Sequence, residues 1–316
     1  MIASIYRSVD ESTRYRVPAS YWDRALHKPV NEFLLREGKR IRADLVELAY
    51  AMSNYGGQAP SQLQSFVELL HAGSLIVDDI QDDAETRRRR PTLHRMFGTP
   101  LAINTGNWMY FAAFEKLTEL PISTFRQSLV MKRTLRTVRG CHEGQALDLT
   151  ADVRTVARND MHSITLTISR LKTGGLVSLA AWLGAAVAGA APELRRSLNR
   201  FGMRLGIALQ MQNDLAELRS CSVENTTSSD LANFRVTWPW AWAAKLCNAA
   251  ELIRLQNADD IATIGTRLYE CVGLFGAKAV RTRLKHAIDD LSQQLGEGEA
   301  RKESKRILNR LEKYHV

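Results

Sequence analysis

Apolar residues recur at spacings of three and four along almost the whole 316-residue chain, which is the period of a helix with one buried face. Val280, Leu284, Ala287, Ile288, Leu291 and Leu295 form one such stripe. Leu63, Phe66, Val67, Leu70 and Ile80 form another, which runs into an acidic block. Segments around 125–149, 161–191 and 197–219 read the same way. No alternating pattern of strand length and no internal repeat interrupts them. Turn formers are scarce, with 19 Gly and 8 Pro, which favours long helices over many short strands. Breaks are expected at Asn54–Pro60, Arg90–Pro91, Pro121, near Pro192 and across the polar run Ser220–Ser229. None has the composition of a domain linker. The expectation is a single all-helical domain over residues 1–316.

Lysine and arginine exceed the acids by 9 charges, so an anionic partner is expected: nucleic acid, a membrane surface or a phosphorylated small molecule. The basic residues do not interleave with aromatics as nucleic-acid modules do, and no nucleic acid is expected. The first sixteen residues contain no apolar run, so no secretory signal is expected. Gly174–Ala191 is the best candidate for a membrane span. It is dominated by Ala and Gly, and reads better as a buried helix with close neighbours. Cys141, Cys221, Cys247 and Cys271 lack metal-ligand spacing and read as reduced thiols of a cytoplasmic protein.

The most informative segment runs from His71 to His94, HAGSLIVDDIQDDAETRRRRPTLH. On a helix Asp78 and Asp82 share one face, while Asp79 and Asp82 are three apart. Like charges so placed repel, and a helix C-terminus disfavours anions as well. A divalent cation relieves both penalties. Mg²⁺ suits the oxygen donors and bridges carboxylates to substrate phosphates. Arg87–Arg90 follow at once with forked donors matched to phosphate. The bland alternative is a solvated acidic face beside a basic turn. A second group, QMQNDLAE, places Asn213 and Glu217 four apart and Asp214 and Glu217 three apart. In GKRIR, Lys39 and Arg42 lie one turn apart and point together. At Lys172-Thr173-Gly174 a cation and a hydroxyl precede an apolar helix. His71 lies two turns before Asp78, on the same side, although a single histidine in an apolar helix is most often a core residue. Trp238, Trp240 and Trp242 read as core or subunit-interface packing.

Taken in order, these segments resemble the trans-isoprenyl diphosphate synthases, the polyprenyl synthetase family, from about Glu37 to Pro239. GKRIR is similar to G-G-K-R-x-R-P, with Glu37 for the first Gly and Ala43 for the Pro. Asp78–Asp82 fits D-D-x-x-D fully. Arg87–Thr92 fits R-R-G-x-P-T with Arg89 for Gly. GQALDL (144–149) and KTGGL (172–176) match further segments. The second motif, F-Q-x-x-D-D-x-x-D, departs: Asn213 replaces its first Asp and Glu217 its last. Arg235 stands for the lysine of G-K-x-T-x-P. Val77 occupies a common His position, and Asn107 a position where G-D is usual.

The resemblance implies an all-α bundle around a deep cavity, working as a cytoplasmic homodimer without a membrane span. It implies condensation of an allylic diphosphate with isopentenyl diphosphate. Asp78 and Asp82 would hold two Mg²⁺, supported by Asp79. Asn213, helped by Asp214 and Glu217, would hold a third. Lys172, Arg87 and Arg235 would surround the leaving diphosphate, which must be stabilised as it departs. Thr173 and Gln210 would turn oxygen dipoles toward the allylic cation. Lys39, Arg42, His71 and Arg88 would bind isopentenyl diphosphate. Gly73 and Ser74, one turn before Asp78, are small, so a product of C20 or longer is expected, such as geranylgeranyl diphosphate. Two other readings compete. Asn213-Asp214 with a nearby Glu is similar to the metal motif of terpene cyclases or of a prenyltransferase with another acceptor, and a weakened second motif would also fit a regulatory subunit of a heteromeric synthase.

Overall fold

The computed structural model describes residues 16–292, apart from 37, 39, 54–56, 89, 225–227 and 259. The helices are α1 (Ala19–Trp22), α2 (Lys28–Leu34), α3 (Ile41–Ser53), α4 (Ser61–Gln81), α5 (Leu93–Phe97), α6 (Thr99–Thr118), α7 (Thr124–Thr150), α8 (Met161–Ser169), α9 (Gly175–Val187), α10 (Pro192–Glu224), α11 (Ser229–Ala232), α12 (Trp238–Leu246), α13 (Ala249–Gln256) and α14 (Ile261–Ser292). π-Helical turns occupy Asp23–His27 and Arg170–Gly174. Among the described residues the only strands are β1 (Thr86–Arg87) and β2 (Arg90–Pro91), an antiparallel pair. The all-α expectation holds, and the break at Arg90–Pro91 is this hairpin. The described residues form two compact units, those within 16–43 and 59–127 and those within 44–58 and 128–292.

In the first unit α4 packs along α6. Leu26, Val30, Phe33, Ala72, Ile76, Leu93, Ala102 and Met109 form a buried cluster. The close approach of the two helices depends on Gly73 and Gly106. A Cβ on Gly73 would stand 2.8 Å from the Gly106 carbonyl and 3.2 Å from the Tyr110 ring. The small residue expected to leave a cavity open therefore serves helix packing, and Tyr110 covers the space beside it.

In the second unit α10 packs against α9 and α14. α9 is buried at every residue but Leu176. No helix among the described residues is long and apolar enough to cross a membrane. A Cβ on Gly184 would stand 2.3 Å from the Val46 carbonyl, so only glycine allows α9 to approach the 44–53 portion of α3. The three tryptophans are core: Trp238, Trp240 and Trp242 are 2%, 1% and 4% exposed. α10 begins at Pro192, a favoured first position, but continues to Glu224, past the break expected at Ser220. Leu218 and Cys221 explain the extension, because both are buried on the face that continues the stripe.

Candidate active site

In the first unit, the acidic segment occupies the last turn of α4, and Asp82 caps it with φ −94° and ψ 0°. Its backbone N–H donates to the Asp78 carbonyl at 2.9 Å. Asp78 and Asp82 are partly exposed, whereas Asp79 is 1% exposed. The Asp79 Oδ1 accepts from Arg87 Nε at 2.5 Å, and Arg87 Nη2 stands 3.9 Å from Asp78 Oδ2. Burial pushes the Asp79 pKa up to about 6, against the opposing pull of Arg87. Its Oδ2 is buried without a hydrogen bond. The acids thus divide: Asp79 fixes the hairpin arginine, and Asp78 and Asp82 border accessible space. No group of three or more His, Cys, Asp or Glu among the described residues converges as a metal cage. Two carboxylates one turn apart nevertheless fit Mg²⁺, which completes its octahedron with water and substrate phosphate oxygens.

The hairpin is anchored by Arg36, which sequence reasoning missed. Its buried guanidinium donates to the Pro91 carbonyl at 2.7 Å and the Arg87 carbonyl at 3.3 Å. Arg88 adopts a left-handed φ of 55° and donates from Nη1 to the Arg36 carbonyl at 3.0 Å. A Cβ on Gly38 would meet the Arg88 guanidinium at 2.8–3.0 Å, so this glycine leaves room for that side chain.

His71 is brought into the same neighbourhood. Burial, then Arg42, Arg88 and Arg87, hold its pKa well below the ordinary histidine value. The imidazole is therefore neutral near pH 7, and its Nδ1 is buried without a hydrogen bond. Glu68, one turn earlier, was also missed. Burial raises its pKa while Arg42, Arg40 and Arg88 draw it down, so it shares the arginines that surround His71. Its spacing of three from His71 was the available signal. Lys39 lies outside the described residues.

In the second unit, the π-turn Arg170–Gly174 presents Lys172 and Thr173. Lys172 Nζ pairs with Asp148 Oδ2 at 2.5 Å. Thr173 Oγ1 donates to Gln210 Oε1 at 2.5 Å, and Gln210 Nε2 donates to Asp214 Oδ1 at 2.7 Å. The Trp238 N–H donates to Asp214 Oδ2 at 3.0 Å. Burial raises the Asp214 pKa to about 7, although both hydrogen bonds oppose the shift. Asn213 is exposed, one residue and about 100° around the helix from buried Asp214. Glu217 Oε1 accepts from Ser228 Oγ at 2.7 Å and from the Asp230 N–H at 3.4 Å, so it braces the start of α11. Arg235 Nη1 donates to the Asp148 and Leu149 carbonyls at 3.2 and 2.7 Å. Asp148, the acid of GQALDL, is thus the partner of Lys172 and lends its carbonyl to Arg235. Its only sequence signal was membership of that segment.

A family model described as Polyprenyl synthetase matches residues 23–266. A short chain isoprenyl diphosphate synthase of Methanocaldococcus jannaschii is 29% identical over 215 residues, 68% of this chain, and the match spans 63% of that relative's length. Geranylgeranyl pyrophosphate synthase 2 of Zymoseptoria tritici is 27% identical over 98% of this chain and 94% of its own. The crystal structure of geranylgeranyl pyrophosphate synthetase from Pyrococcus horikoshii shares the fold, with a TM-score of 0.77 at 23% identity, covering 98% of this chain and 94% of that one. With a family model over more than half its length and the aspartate, arginine and lysine-threonine segments folded as described, the chain belongs to the polyprenyl synthetase family.

Proposed function

We propose that this chain is a prenyltransferase that condenses an allylic diphosphate with isopentenyl diphosphate and releases a C20 diphosphate. The observation that supports this best is the division of labour at the end of α4. Asp79 is buried on Arg87, whereas Asp78 and Asp82 are partly exposed at the helix end, where a metal-bound diphosphate can reach them. The chain works as a single domain over residues 1–316. Asp78 and Asp82 would hold two Mg²⁺, and exposed Asn213 a third, with Asp214, held by Trp238 and Gln210, and Glu217, held by Ser228, supporting it from the same helix. When bound, the metal supplies neutralisation of the diphosphate as it leaves.

This chain's own residues do the rest. Arg87, Lys172 and Arg235 surround the leaving group with fixed positive charge. Thr173 and Gln210, already hydrogen-bonded to each other, set oxygen dipoles toward the allylic cation. Arg42, Arg88 and neutral His71, with Lys39, orient isopentenyl diphosphate so that its double bond meets that cation. The departing diphosphate takes the final proton. Tyr110, beside Gly73, limits chain growth.

The enzyme works as a cytoplasmic homodimer. In the first unit Ile103 and Phe111 on α6 and Phe125 at the start of α7 are 43%, 73% and 79% exposed, a supply of apolar surface that a second copy would cover.

The test incubates purified protein with Mg²⁺, isopentenyl diphosphate and each allylic primer in turn. A C20 diphosphate is expected. Hydrocarbons instead would establish a cyclase, and no turnover without a second subunit would establish a regulatory role.

A further inference from the structure

Two of the four thiols that the sequence left unpaired meet in the second unit. Cys247 is the residue that ends α12, and Cys271 lies on α14. Their Sγ atoms are 2.6 Å apart, both as free thiols. Bond formation requires a further approach of only about 0.5 Å, given a disulfide length near 2.05 Å.

The two helices are held in this register by contacts on either side of the pair. Trp242 on α12 lies on α14, its ring 6.3 Å from that of Phe275. A Cβ on Gly276 would stand 2.5 Å from the Trp242 ring. Beyond the pair, the end of α12 is fastened by Arg158, which donates from Nε to the Ala244 carbonyl and from Nη2 to the Cys247 carbonyl, each at 2.7 Å. Packing on both sides of the pair sets the separation of the two sulfurs.

We propose that Cys247 and Cys271 are a cross-linking site, which takes a disulfide-class oxidant and closes to an intramolecular disulfide. Cys271, the more accessible of the two, attacks one sulfur of glutathione disulfide as its thiolate. That forms a mixed disulfide and releases one glutathione thiolate. Cys247 then loses its proton to that thiolate and attacks the Cys271 sulfur, expelling a second glutathione. Two protein thiols are oxidised, one glutathione disulfide is reduced, and two glutathione thiols form. Burial, the largest cause holding the Cys247 thiol above its ordinary value, persists in the mixed disulfide, so the second attack is the slow one.

The product would tie the end of α12 to α14. α12 begins at Trp238, whose N–H holds the Asp214 carboxylate, so the cross-link would stiffen the element that seats this acid.

The experiment uses the full chain, reduced and then equilibrated with glutathione disulfide. The expected product has lost two hydrogens by intact mass without reductant, with one cross-linked peptide pair containing Cys247 and Cys271. Alkylation of these two thiols should fall to background, and Tm should rise by several degrees. Cys141→Ser and Cys221→Ser should leave the cross-link intact. Cys271→Ser should abolish it, and Cys247→Ala does the same job if the serine variant fails to fold. Two thiols that stay alkylatable, or glutathione that accumulates as a stable adduct on Cys271, would overturn the proposal.

Discussion

The backbone N–H of Trp238 and the carboxylate of Asp214 are joined at 3.0 Å inside the second unit, which ties the first residue of α12 to the middle of α10. A buried acid gains this bond but loses its hydration, and desolvation is the larger effect, since the Asp214 pKa is raised to about 7.

That balance predicts the pH dependence of folding. Asp214 is protonated up to about pH 7 in the folded protein and up to about pH 4 in the unfolded chain. Between those values the folded state binds more protons, so stability falls as pH rises through the window and levels off above it. The loss from this one group is at most about 4 kcal/mol. Asp79, raised to about 6, adds to it with the same sign. Denaturant unfolding of the metal-free protein at pH 5 and pH 8 should show the fall, and Asp214→Asn should reduce it to the part that Asp79 contributes.

The three acids at the end of α4 should separate by readout. Asp78→Ala and Asp82→Ala should lower turnover by orders of magnitude and leave Tm nearly unchanged, because each removes a metal donor while relieving repulsion. Asp79→Ala should lower Tm as well, since Arg87 loses its 2.5 Å partner. Undiminished turnover in the first two variants would refute their assignment.

Gly38→Ala tests the isopentenyl clamp without touching a charge. The new methyl group displaces the Arg88 guanidinium. KM for isopentenyl diphosphate should rise several-fold while kcat and the KM for the allylic primer stay close to wild type. Equal changes in both KM values would point to a general disturbance of the fold.

Product length should respond to α6 rather than to α4. Gly73→Phe should misfold or lose stability, because its Cβ already meets the Gly106 carbonyl and overpacking has no room to relax. Tyr110→Ala should lengthen the product beyond C20, as read by chromatography of the dephosphorylated alcohols. An unchanged product in a folded Tyr110→Ala variant would place the chain limit elsewhere.

Asn213→Asp should fold as well as wild type, within about 0.5 kcal/mol for an exposed position. It should keep or raise Mg²⁺-dependent turnover. Its loss of activity would show that the amide itself is needed.

The long helices were legible because each has one buried stripe, and that pattern is local. The placement of DDIQD at a helix end was equally legible from spacing and the basic turn that follows. What the residues do to one another was not. Asp78 and Asp79 are neighbours in a motif and point about 100° apart on the helix, yet which of the two is buried depends on where the hairpin brings Arg87. Arg36 lies 51 residues from Arg87, and no pattern announces a side chain whose partners are distant carbonyls. The Lys172–Asp148 pair and the contact of Cys247 with Cys271 likewise depend on helices brought together from far apart in the chain.

The π-turn at Arg170–Gly174 gives the continuous helical run from Met161 to Val187 one residue more than its hydrogen-bond ladder requires. Deleting a single residue there would restore a regular α-helix, leave the turns on either side in their present register, and remove the widened turn that carries Lys172 and Thr173. Lys172 and Thr173 could then no longer meet Asp148 and Gln210 together. In this stretch the number of residues is as much a functional determinant as their identity, and the gap is one that a side-chain substitution could not repair.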